Sequence, residues 1–473
     1  MSKRLLKDSM IYTGGNVLAR GLNFIIQVTI WSNLFPPEAY GQLAYCYVFI
    51  SFMSVILPFG MDAAFMNYYV RGDNKAAYLK NTLFVISTVA ISFVLVALLL
   101  KNQLAPLILR QDSARLMTLS LGILFFDIIN NQGLLYLRAE GKALLSVIIQ
   151  NIEILVRLIL LILLISTLTK DIQYILWANL GSSGLIFIIF IILLIPKMKD
   201  AHISKDILKE LMIFALPFLI SGLFDRTIEL ADRRMIGYYL GDSATGLYVA
   251  SYTVAVLMRL LVYSFNAGWQ PYFLSKIDQK GGREELEDIY TRTGIILISV
   301  WFLAAVWLPL IIKIPLGQGR YILHPNYWEG ISIIPIVMAA YVSMGLYFLQ
   351  LPALYHHGKT GLNAVFIGIG AAINIILNVL LIPLLGIIGA AVATLIAYAS
   401  MASLMRIWAL SKSDAVQKDF KLPTMVGLAM ILYVNLGLIE NSILVKVLIS
   451  VIYVGIVLVV LRKIKSSKKF EVK

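Results

Sequence analysis

Arginine, carboxylate and amide side chains recur inside long apolar runs of this sequence, where charge is costly. The run 10–35 contains Arg20 and Asn23, and several later runs combine acids with arginines. A charge at the centre of a bilayer costs roughly 2.5–3.5 kcal/mol on insertion scales, so it persists where it faces a partner or a watery cavity. Arginine suits phosphate because its planar fork of donors stays charged at depth. These residues predict a polar route for an anionic substrate, with carboxylates available for ion coupling.

Helical spacing places these polar residues on shared faces. Glu153 and Arg157 are four residues apart and able to pair, so a structural ion pair is the alternative to a substrate contact there. Arg20 and Arg259 have no acid one turn away in their own helices, which favours phosphate contact. Arg226 is the third candidate for phosphate. The candidate substrate-binding residues are Arg20, Asn23, Arg157, Arg226, Arg259 and Asn266, and the candidate gating or ion-coupling residues are Asp62, Asp127, Glu153, Asp225 and Glu229.

The elements that carry these residues are membrane-spanning helices. The chain has 473 residues, of which 60% are hydrophobic and 14% charged, whereas a soluble domain has about 25% charged residues. A spanning helix needs roughly 20 apolar residues, and fourteen runs meet this length. Their approximate ranges are 10–35, 42–69, 79–101, 115–138, 142–168, 172–196, 210–238, 245–274, 289–313, 329–355, 360–383, 386–411, 422–440 and 443–462. The predicted fold is an all-α polytopic bundle of fourteen helices, with twelve as the alternative.

Lys and Arg in the connections orient this bundle. The connections predicted to be external hold Lys101, Arg110, Arg115, Lys170, Lys313 and Arg320, and the other connections and both ends hold many more basic residues. The positive-inside rule therefore places both termini in the cytoplasm. It also accounts for the formal net charge of +14 without nucleic acid as a partner. We expect a multi-pass protein of the bacterial cytoplasmic membrane.

Weak internal repeats divide the chain. Tyr40-Gly41 and Thr245-Gly246 open corresponding helices, and Gly141-Lys142 matches Gly358-Lys359 in the same way. Parallel repeats about an axis along the membrane normal are a common transporter plan. We therefore predict two six-helix lobes with pseudo-twofold symmetry, 1–205 and 206–411, followed by two peripheral helices and a basic tail over 412–473.

Several kinds of chemistry have no signature in the sequence. There is no Walker A motif for ATP, and no large external connection that could hold the catalytic residues of a membrane enzyme. His356-His357 has no nearby carboxylate or Cys, so no metal site is expected, and the lone Cys46 is interpreted as a packing residue. We expect no cofactor and no enzyme activity.

Three short segments resemble one family of membrane transporters. They are Ser9-Met-Ile-Tyr-Thr-Gly-Gly-Asn-Val-Leu-Ala-Arg20, Phe35-Pro-Pro-Glu-Ala-Tyr-Gly41, and Pro58-Phe-Gly-Met-Asp62 with Asn67-Tyr-Tyr69 and Arg71. With the helix layout, they make the chain similar to the polysaccharide flippase branch of the multidrug/oligosaccharidyl-lipid/polysaccharide exporter superfamily.

This resemblance implies a function. It implies alternating access between two six-helix lobes and movement of polyprenyl-diphosphate-linked oligosaccharide from the cytoplasmic to the outer leaflet, for O-antigen or capsule-type polysaccharide. It also implies that a Na+ or H+ gradient or the membrane potential drives this transport. The expected partners are this substrate, membrane lipids and polysaccharide polymerase machinery. The two extra C-terminal helices also resemble those of peptidoglycan lipid II flippases. A lipid II-type flippase and an ion-coupled multidrug exporter of the same superfamily remain alternatives.

Overall fold

The structure is a computed structural model that describes residue 19, residues 21–110, 113–167, 171–277, 279, 281–412, residue 429 and residues 442–471. Within these ranges, twelve helices are long and apolar enough to cross a membrane. Each corresponds to one of the fourteen predicted runs. Of the two other runs, 10–35 is described at residue 19 and over residues 21–35, and 422–440 is described at residue 429 alone. The predicted all-α, polytopic fold class is confirmed.

Two compact units divide the chain, Met1–Ala250 and Ser251–Lys473. The lobe boundaries expected from the sequence stay a prediction. A π-helix, Ile25–Trp31, runs into a short helical turn, Ser32–Leu34. The other helices of the first unit are α1 Pro37–Ile56, α2 Met61–Arg71, α3 Lys75–Leu99, α4 Lys101–Leu109, α5 Ala114–Ala139, α6 Ala143–Thr167, α7 Gln173–Leu194 with a 3-10 turn Ile195–Met198, and α8 Lys205–Leu240.

The second unit is also helical. Helix α9, Asp242–Lys276, begins in the first unit and continues into the second. The remaining elements are α10 Gly282–Ile311, strands β1 Pro315–Gly317 and β2 Arg320–Tyr321, a 3-10 helix Pro325–Ile333, α11 Ile334–Leu349, α12 Leu351–His356, α13 Leu362–Leu385, α14 Ile387–Ser411 and α15 Ile443–Glu471. The two strands form an antiparallel hairpin.

One predicted span, 42–69, is two helices joined by a tight turn. The turn lies between α1 and α2, and both Phe59 and Gly60 have positive φ angles, 35° and 85°. Glycine adopts such angles without steric cost. A side chain at Gly60 would also collide with the carbonyl group of Ala215 in α8. The glycine in this break therefore lets α8 approach the turn between α1 and α2 closely.

Helix α15 packs against α10 at the surface of the second unit. The indole Nε1 of Trp307 donates to Ser450 Oγ at 3.1 Å, and the hydroxyls of Ser299 and Tyr453 lie 3.4 Å apart. Most large apolar side chains of α15 stay exposed; Leu444 is 73% and Val451 66% exposed. Apolar exposure on this scale suits lipid as the solvent, in keeping with the peripheral position expected from the sequence.

Candidate functional site

Four polar side chains form a cluster within the first unit, which we call the acid–arginine cluster: Asp127, Glu153, Arg157 and Ser183. Arg157 Nη2 lies 3.0 Å from Glu153 Oε1, with side chains that are 21% and 17% exposed. The Ser183 hydroxyl lies 2.6 Å from Asp127 Oδ1 and 3.4 Å from Glu153 Oε1. The pairing predicted from the four-residue spacing is confirmed, and the structure brings Asp127 to the same place.

Three packed helices hold this cluster. Asp127 lies on α5, Glu153 and Arg157 on α6, and Ser183 on α7, and α7 packs against both other helices. Asn130 on α5 donates to the Ser183 carbonyl oxygen at 2.9 Å, which fixes the register of α5 against α7. Such bonds between membrane helices contribute about 0.6–1.7 kcal/mol each.

Helix α1 lies beside this cluster. Asn179 on α7 donates to the Tyr47 hydroxyl at 3.4 Å, and the Tyr47 ring stacks on Trp31 with centroids 6.0 Å apart. Tyr47, Asn179 and Ser183 are not among the candidate residues predicted from the sequence. Asn179 and Ser183 stand out as amide and hydroxyl groups in an otherwise apolar run, whereas a tyrosine is as typical of ordinary packing.

Asp62 lies at the start of α2 and binds α5 one turn beyond Asp127. The Asn131 side-chain amide donates to Asp62 Oδ2 at 2.8 Å. Asn131 is a neutral partner and does not balance the charge of Asp62. The role of Asp62 in gating or ion coupling stays a prediction.

The predicted residues on α8 form a second ion pair. Arg226 Nη1 lies 3.1 Å from Glu229 Oε2, and the side chains are 35% and 10% exposed. Asp225 precedes them and is partly buried. One turn further on, the buried Asp232 accepts a 2.5 Å hydrogen bond from the Tyr248 hydroxyl on α9. Neither Asp232 nor Tyr248 is among the candidate residues predicted from the sequence.

The predicted residues of the second unit lie on α9. The Arg259 guanidinium carbon lies 5.1 Å from the centroid of the Tyr263 ring, one turn along. This distance is typical of a cation–π interaction. The buried Oδ1 of Asn266 has no hydrogen-bond partner among the described residues, and a buried amide oxygen of this kind is a candidate for binding a ligand donor.

The two remaining predicted substrate contacts belong to the N-terminal run. Asn23 donates to the Ala19 carbonyl oxygen at 3.1 Å, within its own helix. Arg20 lies outside the described residues, so its predicted role in phosphate contact stays a prediction. In the described part of the chain, no group of three or more His, Cys, Asp or Glu side chains could hold a metal ion.

The N-termini of α1 and α9 cross at two glycines, Gly41 and Gly246, which we call the glycine crossing. A methyl group on Gly41 would collide with the Asp242 carbonyl group, and one on Gly246 with the Pro37 carbonyl group. The Tyr45 hydroxyl bridges this crossing, at 3.0 Å from both Asp242 Oδ1 and Thr245 Oγ1. Both helices begin at the ends that the charge distribution assigns to the external side.

Comparisons with known proteins identify relatives. Residues 5–277, more than half of the chain, match the family described as "Polysaccharide biosynthesis protein". An uncharacterized membrane protein of Methanocaldococcus jannaschii is 23% identical over 496 residues, covering 96% of this chain and 94% of that protein.

Two solved structures share the fold. The lipid II flippase MurJ, in an inward closed conformation, superposes with a TM-score of 0.74 at 15% identity, covering 98% of this chain and 100% of that one. An inward-facing multidrug resistance transporter of the MATE family, in the MOP superfamily, superposes with a TM-score of 0.64 at 14% identity, covering 87% and 96%.

Proposed function

Because the chain belongs to the polysaccharide biosynthesis protein family, we propose that it is a flippase for polyprenyl-diphosphate-linked oligosaccharide. It moves this lipid from the cytoplasmic to the outer leaflet by alternating access, in a cytoplasmic membrane with both termini inside. The multi-pass helical fold supports transport, since the structural relatives with this fold are transporters. The acid–arginine cluster is the single observation in the structure that bears most directly on the substrate.

The form of the ion pairs supports exchange with an anionic substrate. Arg157 pairs with Glu153 four residues earlier on the same helix, and Arg226 pairs with Glu229 three residues later. An ion pair within one helix joins no two helices, so opening it leaves the packing intact. A diphosphate can then replace the carboxylate as the partner of arginine, and bidentate phosphate binding favours this exchange.

The carboxylate released by this exchange gives the proposed coupling step. Glu153 lies within 3.4 Å of the Ser183 hydroxyl, which also donates to Asp127. Two carboxylates sharing a partly buried site repel each other once arginine is withdrawn. Uptake of a proton or Na+ by Asp127 or Glu153 would relieve this repulsion, and the same exchange at Arg226 would leave Glu229, beside Asp225, to do so on α8.

Arg157→Ala tests the proposal. Proteoliposomes containing the purified protein are supplied with a fluorescent polyprenyl-diphosphate oligosaccharide, and the fraction that reaches the opposite leaflet is measured with time. Loss of one charge-assisted bond costs roughly 1.5–3 kcal/mol, which corresponds to an apparent affinity about tenfold to a hundredfold weaker. Arg157→Lys should recover part of the activity, since it retains the charge but loses the bidentate fork.

Arg292→Ala is the matched control. Arg292 Nε lies 3.0 Å from Asp288 Oδ2 in another pair four residues apart, with similar exposures of 32% and 17%, near the start of α10. It should retain transport, because this pair precedes the apolar stretch of its helix. Equal transport by wild type and Arg157→Ala would refute the role of the cluster, and selective transport of lipid II or of a cationic drug would assign one of the alternative substrates.

A further inference from the structure

An apolar groove lies on the first unit, and no residue of the acid–arginine cluster lines it. It has a volume of about 490 Å³ and lies between α3, α5, α7 and the turn that follows α7. This volume is in the range of pockets that hold small molecules, about 300–1,000 Å³. Phe125 and Phe187, with ring centroids 5.7 Å apart, are among its lining residues, and Phe84 and Ile91 at its sides are 43% and 45% exposed. Its exposed apolar lining suits a hydrocarbon chain.

The length of the groove matches one leaflet of a bilayer. Along α3 its lining residues extend from Lys80 to Ile91. Eleven residues of helix rise about 16 Å, which is about half of a ~30 Å hydrocarbon core. Lys80 is at the end that the positive-inside rule assigns to the cytoplasm, so the groove runs from that surface towards the bilayer midplane.

The connector between the 3-10 turn and α8, residues 199–204, closes the cytoplasmic end of the groove. The fully buried Asn81 donates to the His202 carbonyl oxygen at 3.0 Å and accepts from the Ser204 backbone N–H at 2.9 Å. Lys80 Nζ donates to the Ala201 carbonyl oxygen at 2.7 Å. These bonds hold the connector against α3, and Ile203 on the connector becomes part of the groove wall.

The rim of this groove is basic. Lys80 lines it, and the exposed Lys197 and Lys199 flank Met198, another lining residue. The exposed Asp200 is the opposing charge on this stretch, so the three lysines leave an excess of positive charge. Basic residues at the cytoplasmic membrane surface attract anionic lipid by about 1 kcal/mol each. The basic rim and the one-leaflet length together define the occupant.

We propose that this groove is a binding site for an acidic phospholipid of the cytoplasmic leaflet. One acyl chain lies along α3 over Phe125 and Phe187, and the phosphate lies at Lys80, Lys197 and Lys199. The lipid is a resident ligand, and the transported polyprenyl lipid takes the separate polar route.

Native mass spectrometry tests this site. The detergent-purified protein is incubated with equal amounts of phosphatidylglycerol and phosphatidylcholine that have the same acyl chains, and the retained lipids are counted. Wild type should retain one phosphatidylglycerol with at least about tenfold preference. The Lys80→Gln/Lys197→Gln/Lys199→Gln variant should lose most of this preference, because removing a charge-assisted bond costs about tenfold in affinity.

A second variant blocks the acyl chain. Thr88 is exposed and lines the groove, so Thr88→Trp fills it without entering the core, and retention of both lipids should fall about tenfold. The control is Leu95→Trp, on the same helix but outside the groove and 58% exposed. Equal retention of the two lipids by wild type would overturn the acidic headgroup. Unchanged retention by Thr88→Trp would overturn the groove, and displacement by equimolar undecaprenyl phosphate would assign the site to the transported lipid instead.

Discussion

Gly41→Ala changes the close approach of α1 and α9 by one methyl group. That methyl group would meet the Asp242 carbonyl group and the Gly246 backbone nitrogen. Neither obstacle is a side chain that can rotate away, so the two helix ends must separate. Overpacking costs typically about 1–3 kcal/mol. Alanine also has a higher helix propensity than glycine, by up to about 1 kcal/mol. This gain cancels, because α1 is helical whether its contact with α9 is closed or open.

The expected consequence is a shift towards a conformation in which the glycine crossing is open. A difference of about 1–3 kcal/mol changes the ratio of two conformations by about 5- to 150-fold. Thr245 is fully buried at the crossing, so a cysteine at this position reports opening. In a Cys46→Ser, Thr245→Cys background, the rate of labelling by a membrane-impermeant maleimide should rise by this factor on addition of Gly41→Ala.

Gly268→Ala is the matched control for this experiment. Gly268 lies on α9, as Gly246 does, but a methyl group there would meet no atom within 4 Å. Its labelling rate should equal that of the background. An unchanged labelling rate in a folded Gly41→Ala variant would refute the glycine crossing as a steric seal, and Gly246→Ala should reproduce the effect from the other helix.

Two further substitutions test how neighbouring elements are held. Trp307→Phe removes the donor to Ser450 and should weaken the docking of α15 by about 0.6–1.7 kcal/mol, measured as a lower unfolding temperature; the lipid-exposed Trp177→Phe should not change it. Asn81→Leu removes both side-chain hydrogen bonds of Asn81 to the connector and should accelerate tryptic cleavage at Lys199. An unchanged cleavage rate would show that other contacts hold the connector.

The sequence predicts where the helices lie because hydrophobic length alone sets a membrane span. Helix α14, Ile387–Ser411, begins within one residue of its predicted start and ends where predicted. The break between α1 and α2 was not predicted, because Pro58 and Gly60 sit in a continuously apolar run. Helix α4 was also missed, because Lys101 at its start and Arg110 after its end were assigned to an external connection.

The partners of the candidate residues were predictable only within a helix. The spacing of Glu153 and Arg157 predicts their pairing from helical geometry alone. Bonds between helices depend on which faces meet, and helices that are apolar on every side give little periodic signal for this. The contacts of Ser183 with Asp127 and of Tyr248 with Asp232 therefore became visible only in the folded chain.

Some ion pairs and some interhelical hydrogen bonds of the first unit are made by separate groups. The pairs Arg157–Glu153 and Arg226–Glu229 each lie within one helix, whereas neutral donors join different helices, as Asn131 does at Asp62 and Asn130 at the Ser183 carbonyl group. A bond within one helix can open without separating two helices, and a neutral donor keeps its bond when the charge nearby changes. Under the proposed function, the first unit would therefore exchange a carboxylate for a phosphate at arginine while its helices keep their register. If the Arg157–Glu153 pair were instead only structural, its loss would lower the stability of the fold before it affected transport.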